Sequence, residues 1–200
     1  MVHSINNIYQ FKIEVAGSDP LIWRRVLVES DFTFYELQAV FQIAFDYDDY
    51  GYYEFEAVEP CPYDTEGEPV LNNFWTNPTT QVELREILHM GIKKFYYYHE
   101  AYTTWKHIVH IENVFTKNKK VFYPVCIGGE RKCPPEDLDT IEELNEFVIT
   151  RKTRIERVKY SVEVDEYDVF WKFNPEEFNI RDVNEELHYI NDFLDDDPYK

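Results

Sequence analysis

Two thiols, an arginine and three carboxylates crowd into one short run, Pro124-Val-Cys-Ile-Gly-Gly-Glu-Arg-Lys-Cys-Pro-Pro-Glu-Asp137. Thiolates bind zinc, yet structural zinc sites need four ligands, often from closely spaced cysteine pairs. Cys126 and Cys133 are too far apart in sequence for such a pair, and the third cysteine, Cys61, lies in another loop. His99, His107 and His110 are the residues that could complete a site. Two buried, reduced cysteines are the plainer reading. Gly128-Gly129 ahead of Glu130-Arg131 could turn backbone N–H groups toward an anion, but the spacing and lysine of a phosphate loop are missing. A tight turn at positive φ is the simpler expectation. With its paired glycines and prolines, the run reads as a shaped loop between a strand and a helix.

Trp23-Arg24-Arg25 is the second chemical cluster. In a strand, Trp23 and Arg25 share one face while Arg24 shares the other with Ile22 and Val26. One arginine therefore lies beside the core, where it needs carboxylates or carbonyls. Glu136 and Asp137 are the expected partners, since a guanidinium fork matches a carboxylate. An anion-binding arginine is the functional alternative. Trp105 and His107 share a strand face and His110 takes the other, so the two histidines are not joint ligands from one regular strand. Residues 46–56 carry Asp46, Asp48, Asp49, Glu54 and Glu56 among tyrosines, and lack the ligand series of a calcium loop. They fit an acidic, aromatic rim for a cationic partner. Basic residues at 151–159 read as a helix C-terminus and linker.

The elements that must position these groups follow from periodicity. Residues 8–15 and 21–29 alternate as an antiparallel hairpin about a turn at 17–20. Thr33 and Glu36 have capping-box spacing and open a helix with an aromatic stripe, ended by 46–51. Residues 52–58, 93–98 and 105–115 read as strands. Residues 59–79 read as irregular, 82–90 as a short helix begun by Thr80 and Glu83 and closed by Gly91, and 117–120 as a turn. Thr140 and Glu143 cap a helix to about 150, 162–173 is a linker or strand, and Asn174-Pro-Glu-Glu177 opens a C-terminal helix with Val183, Leu187, Ile190 and Leu194 inward. The expected fold is α+β: a mainly antiparallel sheet of about five strands, rolled or β-grasp-like, with helices on one face. One domain over 1–194 and an acidic tail at 195–200 are expected.

A net charge of −19 argues against duplex DNA or an anionic membrane as partner, because phosphate binding needs a concentrated cationic face. With few cysteines, no signal-like start and no apolar run of membrane length, the expected location is cytoplasmic.

Several motifs then stand in a recognisable order: Ile22-Trp-Arg-Arg25, Leu37-Gln-Ala-Val-Phe-Gln42, Trp105-Lys-His107, Cys126-x-x-Gly-x-Arg-x-Cys-Pro-Pro-Glu-Asp137 and Phe173-Asn-Pro-Glu-Glu-Phe178. In that order the chain resembles the Ri-plasmid open-reading-frame-three-like family, also described as transposon passenger TnpR-like proteins. The resemblance implies a single α+β domain, sometimes carried on mobile elements, with no established activity. It departs where the family has Gly-Trp-x-x-x-His, which is 46–51 here with Gly51 at the histidine position. It departs again where Tyr-Asp-Phe-Gly-Asp becomes Tyr97-Tyr-His-Glu-Ala101, and where Cys-Gly-Gly becomes Leu138-Asp-Thr140. The leading expectation is a non-enzymatic binding module with an unknown, cationic protein or peptide partner and no cofactor. Its surface would join Trp23, Arg24, Arg25, Trp105, His107, Arg131, Glu136 and Asp137. The alternatives are a metal-assisted, zinc-using hydrolase built on His107, Cys126 and Cys133, and a nucleic-acid accessory protein.

Overall fold

The computed structural model describes residues 7–47, 52–58, 82–88, 91–100, 103–134, 138–158 and 173–195, and of 57, 87, 88 and 151–158 the backbone alone. Cys61, Glu136, Asp137, Thr80, the 59–79 stretch, the 162–172 linker and the tail beyond 195 lie outside the described residues.

Alternating apolar residues build the first hairpin, β1 (Asn7–Val15) with β2 (Trp23–Glu29), paired antiparallel so that Lys12 faces Arg25 and Ile13 faces Arg24. Helix α1 (Phe34–Phe45) follows. Then come β3 (Tyr52–Ala57), α2 (Leu84–Leu88), β4 (Lys94–Glu100), β5 (Thr104–Thr116) and β6 (Val125–Glu130). The chain ends in α3 (Ile141–Val158), α4 (Ile180–His188) and α5 (Ile190–Asp195). All strands join one open sheet in the order β3-β4-β5-β1-β2-β6, and every pairing is antiparallel. The strand beyond the expected five is β6. It comes from the run expected to be loop, and Gly128 and Gly129 sit in it without positive φ.

Helix α1 is buried nearly all round rather than along one stripe. Its Phe34 and Phe41 pack edge-on against Phe55, Phe95 and Phe11 of the sheet. Its other side meets α4 and α5, where Tyr35 donates to the Leu194 carbonyl at 3.5 Å. The buried Gln38 and Gln42 satisfy each other one turn apart. The helical cover therefore stands in two tiers on one face, which is why a helix carrying glutamines can sit in the core.

The other sheet face bears polar side chains in rows. Lys94, His110, Lys12 and Arg25 stand opposite one another on β4, β5, β1 and β2. Like charges so placed repel, and carboxylates offset them: Glu14 binds Lys12 at 2.6 Å, and Glu112 holds Arg25 through Nε at 2.6 Å and Nη2 at 2.9 Å. Glu112 reaches this face because the β1–β5 register slips between Gln10 and Phe11, which leaves it as an extra residue. Arg25 pushes its carboxyl down to about 2.

Three helix boundaries differ from the sequence expectation. α3 continues through the basic run instead of stopping near 150, because Lys and Arg are good helix formers and no Gly or Pro interrupts them. α2 starts at Leu84, since the residue before it, Glu83, is tied in a bridge to Thr33. The C-terminal helix opens at N-cap Asn179, and Asn174–Glu177 form the turn before it. Its expected inward residues Leu187, Ile190 and Leu194 are buried.

The capping box at α1 is complete. Thr33 Oγ1 accepts from the Glu36 N–H at 3.2 Å, and the Glu36 carboxylate accepts from the Thr33 N–H at 2.7 Å. Thr33→Ala should lower the unfolding free energy by about 1 kcal/mol, the usual worth of an N-cap. Urea denaturation checks it, and an unchanged midpoint would mean the bridge to Glu83 carries this helix end.

Candidate functional site

The parity of β2 sends Arg24 inward, and it is 3 % exposed. The guanidinium is met mainly by carbonyls. Nε donates to the Ala44 carbonyl at 2.7 Å, and Nη1 donates to those of Trp23 at 2.8 Å and Glu130 at 3.0 Å. Phe45 and Phe178 stack on it, with ring centres 5.0 and 4.2 Å from Cζ. Among the described residues no carboxylate lies within ion-pair distance, and Nη2 has no acceptor. Burial lowers the arginine's pKa, while the nearby Cys133, Cys126, Tyr47 and Asp46 oppose that shift.

Gly129, paired with Arg24 across β2 and β6, makes this packing possible. A Cβ there would lie 2.6 Å from Phe178 Cζ and 2.9 Å from Arg24 Cδ. The glycine is thus needed for close approach rather than for a turn. The edge of β6 is closed by α4, whose Asn184 accepts from the Cys126 N–H at 2.7 Å and donates to its carbonyl at 2.9 Å. Asn184, Phe178 and Gly129 thus clasp the C-terminal helices to the first hairpin.

Between these parts lies a cleft of about 210 Å³. Arg24 stands at its floor, with Ile43, Ala44, Phe178 and Val183 as apolar wall. Asp46, Glu177, Asp182 and Glu186 are exposed at its mouth, where Lys132 lies 3.8 Å from Glu177. Asp46 is placed by its left-handed conformation at the α1 C-cap, φ 58°. Asp182 accepts from Asn179 Nδ2 at 2.7 Å at the start of α4. Arg131 also adopts positive φ, 68°, and turns back to Glu130 and Glu176 at 3.4 and 3.6 Å.

Cys133 leads inward from the cleft. Its thiol hydrogen-bonds Tyr47, whose hydroxyl lies 2.9 Å from His107 Nε2. His107 Nδ1 lies 3.3 Å from the Tyr97 carbonyl. A carbonyl only accepts, so Nδ1 carries the proton and Nε2 accepts from Tyr47. Tyr47 stacks on the buried His99 at 4.1 Å. Burial first, then the neighbouring His99, push His107 down to about 3. It is neutral at pH 7 and too weak a base to draw a proton along the chain. Burial raises Tyr47 well above its ordinary value and pushes the Cys126 thiol up.

The structure divides the expected surface. Trp23 and Arg25 lie on the polar sheet face; Arg24, Trp105 and His107 lie on the covered one. These residues cannot form one patch, because strand parity that buries Arg24 turns its neighbours outward. Arg25, on the polar face, is paired with Glu112, brought near by β1–β5 pairing; Glu136 and Asp137, the expected partners of the core-facing arginine, lie outside the described residues. His110 faces away from His107, as expected. Cys126 and Cys133 are buried, reduced thiols. Among the described residues no group of three His, Cys, Asp or Glu side chains is arranged to hold a metal ion. Likewise no described helix is long and apolar enough to cross a membrane. Sequence reasoning placed Asp46 in an acidic, aromatic rim but did not connect it to Arg24, and it missed Tyr47 and Phe178 as site residues. Gly129, which admits Phe178, was the one local signal.

Two outcomes follow. Gly129→Ala should force Phe178 off Arg24 and cost about 1–3 kcal/mol as overpacking, read by chemical denaturation. An unaltered midpoint would show that Phe178 moves freely. Unfolded His107 takes up a proton near pH 6.5 and folded His107 only near 3. The unfolded state therefore binds more protons in that window, and stability falls as pH drops through it, by at most about 1.4 kcal/mol per pH unit. Urea midpoints between about pH 7 and about pH 5 should decline less steeply in His107→Asn.

Comparison with known proteins matches this architecture. A crystal structure of a protein of unknown function, MM3350 from Methanosarcina mazei Go1, is similar with TM-score 0.68 and 26% identity, over 90% of this chain and 98% of that one. No curated protein matches significantly. The model of the plasmid pRiA4b ORF-3-like proteins matches residues 7–182, and the chain belongs to that family.

Proposed function

We propose that the protein is a non-catalytic binding module, and that its cleft holds an anionic group of a ligand against Arg24. One observation carries this reading: a guanidinium buried to 3 % exposure with no carboxylate within ion-pair distance among the described residues. Uncompensated buried charge costs several kcal/mol. Three carbonyls and two aromatic faces solvate the cation without neutralising it. An incoming carboxylate or phosphate would supply the missing charge, with Nη2 as donor.

The hydrolase reading has less support. Both His107 nitrogens are engaged inside the core, so the ring would have to leave Tyr47 and the Tyr97 carbonyl to serve a metal or a nucleophile. The nucleic-acid reading must overcome the net charge of −19.

Titrating acetate, succinate and phosphate against the native protein should raise its thermal midpoint, because a ligand of the folded state stabilises by linkage. At about ten times its Kd the gain is roughly 1.4 kcal/mol. In Arg24→Met the shift should vanish while circular dichroism stays native, since an apolar replacement of similar volume tends to be tolerated at buried charges. Equal shifts in both proteins, or none in either, would refute the reading.

A further inference from the structure

The charges around the cleft are not arranged for a simple anion. Arg24 is the cation at the floor, and four carboxylates stand at the exposed mouth against one lysine. Lys132 is itself drawn to Glu177. A ligand that is only anionic would cross this acidic mouth at an electrostatic cost. One that is only cationic would meet the guanidinium behind it. The field changes sign from mouth to floor, so the ligand that satisfies both ends is dipolar.

The walls and size narrow it further. Ile43, Ala44, Phe178 and Val183 give a short apolar lining between the two charged zones. The volume, about 210 Å³, is below the roughly 300–1,000 Å³ of pockets that hold drug-sized molecules. Little beyond one or two residues of peptide would be enclosed. We infer that the cleft binds a small zwitterion of the amino-acid type, its carboxylate on Arg24 at the floor and its ammonium among Asp46, Asp182 and Glu186 at the mouth. This rests on the proposed anion site at Arg24 and assigns its ligand class.

A free amino acid and a dipeptide carry the same pair of charges, and both belong in the test. The proteinogenic amino acids and a set of dipeptides would be titrated into the native protein and followed by amide and Arg Nε–H NMR shifts. Each binder would then be repeated as its N-acetyl form, which keeps only the carboxylate, and as its methyl ester, which keeps only the ammonium. The expected result is a zwitterion that binds at least about tenfold more tightly than either half-charged form. Binding should shift the Arg24 Nε–H signal and be lost in Arg24→Met. The double variant Glu177→Gln/Glu186→Gln, altered only at exposed positions, should weaken the zwitterion and leave the N-acetyl form bound at least as tightly as before. Whether the free amino acid or the dipeptide binds better then names the source.

If the N-acetyl form binds as well as its parent, the dipolar assignment fails and the anion site stands. If the ester binds as well as its parent and Arg24→Met changes nothing, both fall. If no zwitterion binds up to about 10 mM, a Kd weaker than any useful capture, the assignment fails whatever simple anions do at Arg24.

Discussion

The Arg24 guanidinium, held in the core with no carboxylate at ion-pair distance among the described residues, is the constraint around which the rest of the site is arranged. It cannot be hydrated there, so the fold must replace its water. The end of α1 gives the Ala44 carbonyl, β2 gives that of Trp23, and β6 gives that of Glu130. These acceptors come from three separate elements. Phe45 and Phe178 cover the flat faces, where a guanidinium is least hydrated and most readily stacked. Room for that stacking exists only because residue 129 has no side chain. One buried cation therefore dictates where α1 stops, how β6 pairs, and what precedes α4.

The same end of the sheet carries a second polar device. His107, Tyr97 and His99 project from β5 and β4 onto the covered face, where aliphatic residues would be the ordinary choice. Both His107 nitrogens are bonded internally, whereas the buried Tyr97 hydroxyl has no hydrogen-bond partner among the described residues. Tyr47 folds back after the left-handed Asp46 to donate to His107 Nε2, and the Tyr97 carbonyl accepts from the ring's Nδ1–H. Burial then keeps the imidazole neutral, so the network adds a fixed shape and no charge. Cys133 ties it to the cleft. The single formal charge inside this region thus belongs to Arg24, and its field is not cancelled from behind.

How much of this could be read from sequence depended on range. Alternation and capping spacing located both strands of the first hairpin, α1, and the strands that became β4 and β5. Parity alone identified Arg24 as the arginine that turns toward the core. What failed were features decided by partners far along the chain. β6 looked like a loop because paired glycines and a flanking proline are poor strand formers, and only pairing with β2 overrides them. Glu112 could not be matched to Arg25, because an extra residue in β5 decides which face it takes. Likewise the cleft draws on the end of α1, the segment after β6 and the start of α4. No local pattern links Asp46 to Glu186. The stretch that looked most functional, 124–137, supplied Cys133, Lys132 and Gly129, while the charge that defines the site came from the hairpin.

An acidic chain that buries Arg24 with no carboxylate at ion-pair distance among the described residues poses an energetic question that packing alone does not answer. On the polar sheet face, cations are matched locally: Lys12 by Glu14, Arg25 by Glu112. The surplus of acid elsewhere shows that carboxylates were not scarce, and four of them stand within reach of the cleft. None closes on Arg24. If the guanidinium served only to bind three carbonyls, bringing a carboxylate from the mouth to the floor would lower the cost of its burial. Keeping acid at the mouth and the cation at the floor instead maintains a separation of charge across a small apolar gap. Such a separation is unfavourable in an empty protein and favourable around a ligand of matching polarity. That asymmetry is what supports the proposed binding role of the cleft over one for the cysteines or the histidines.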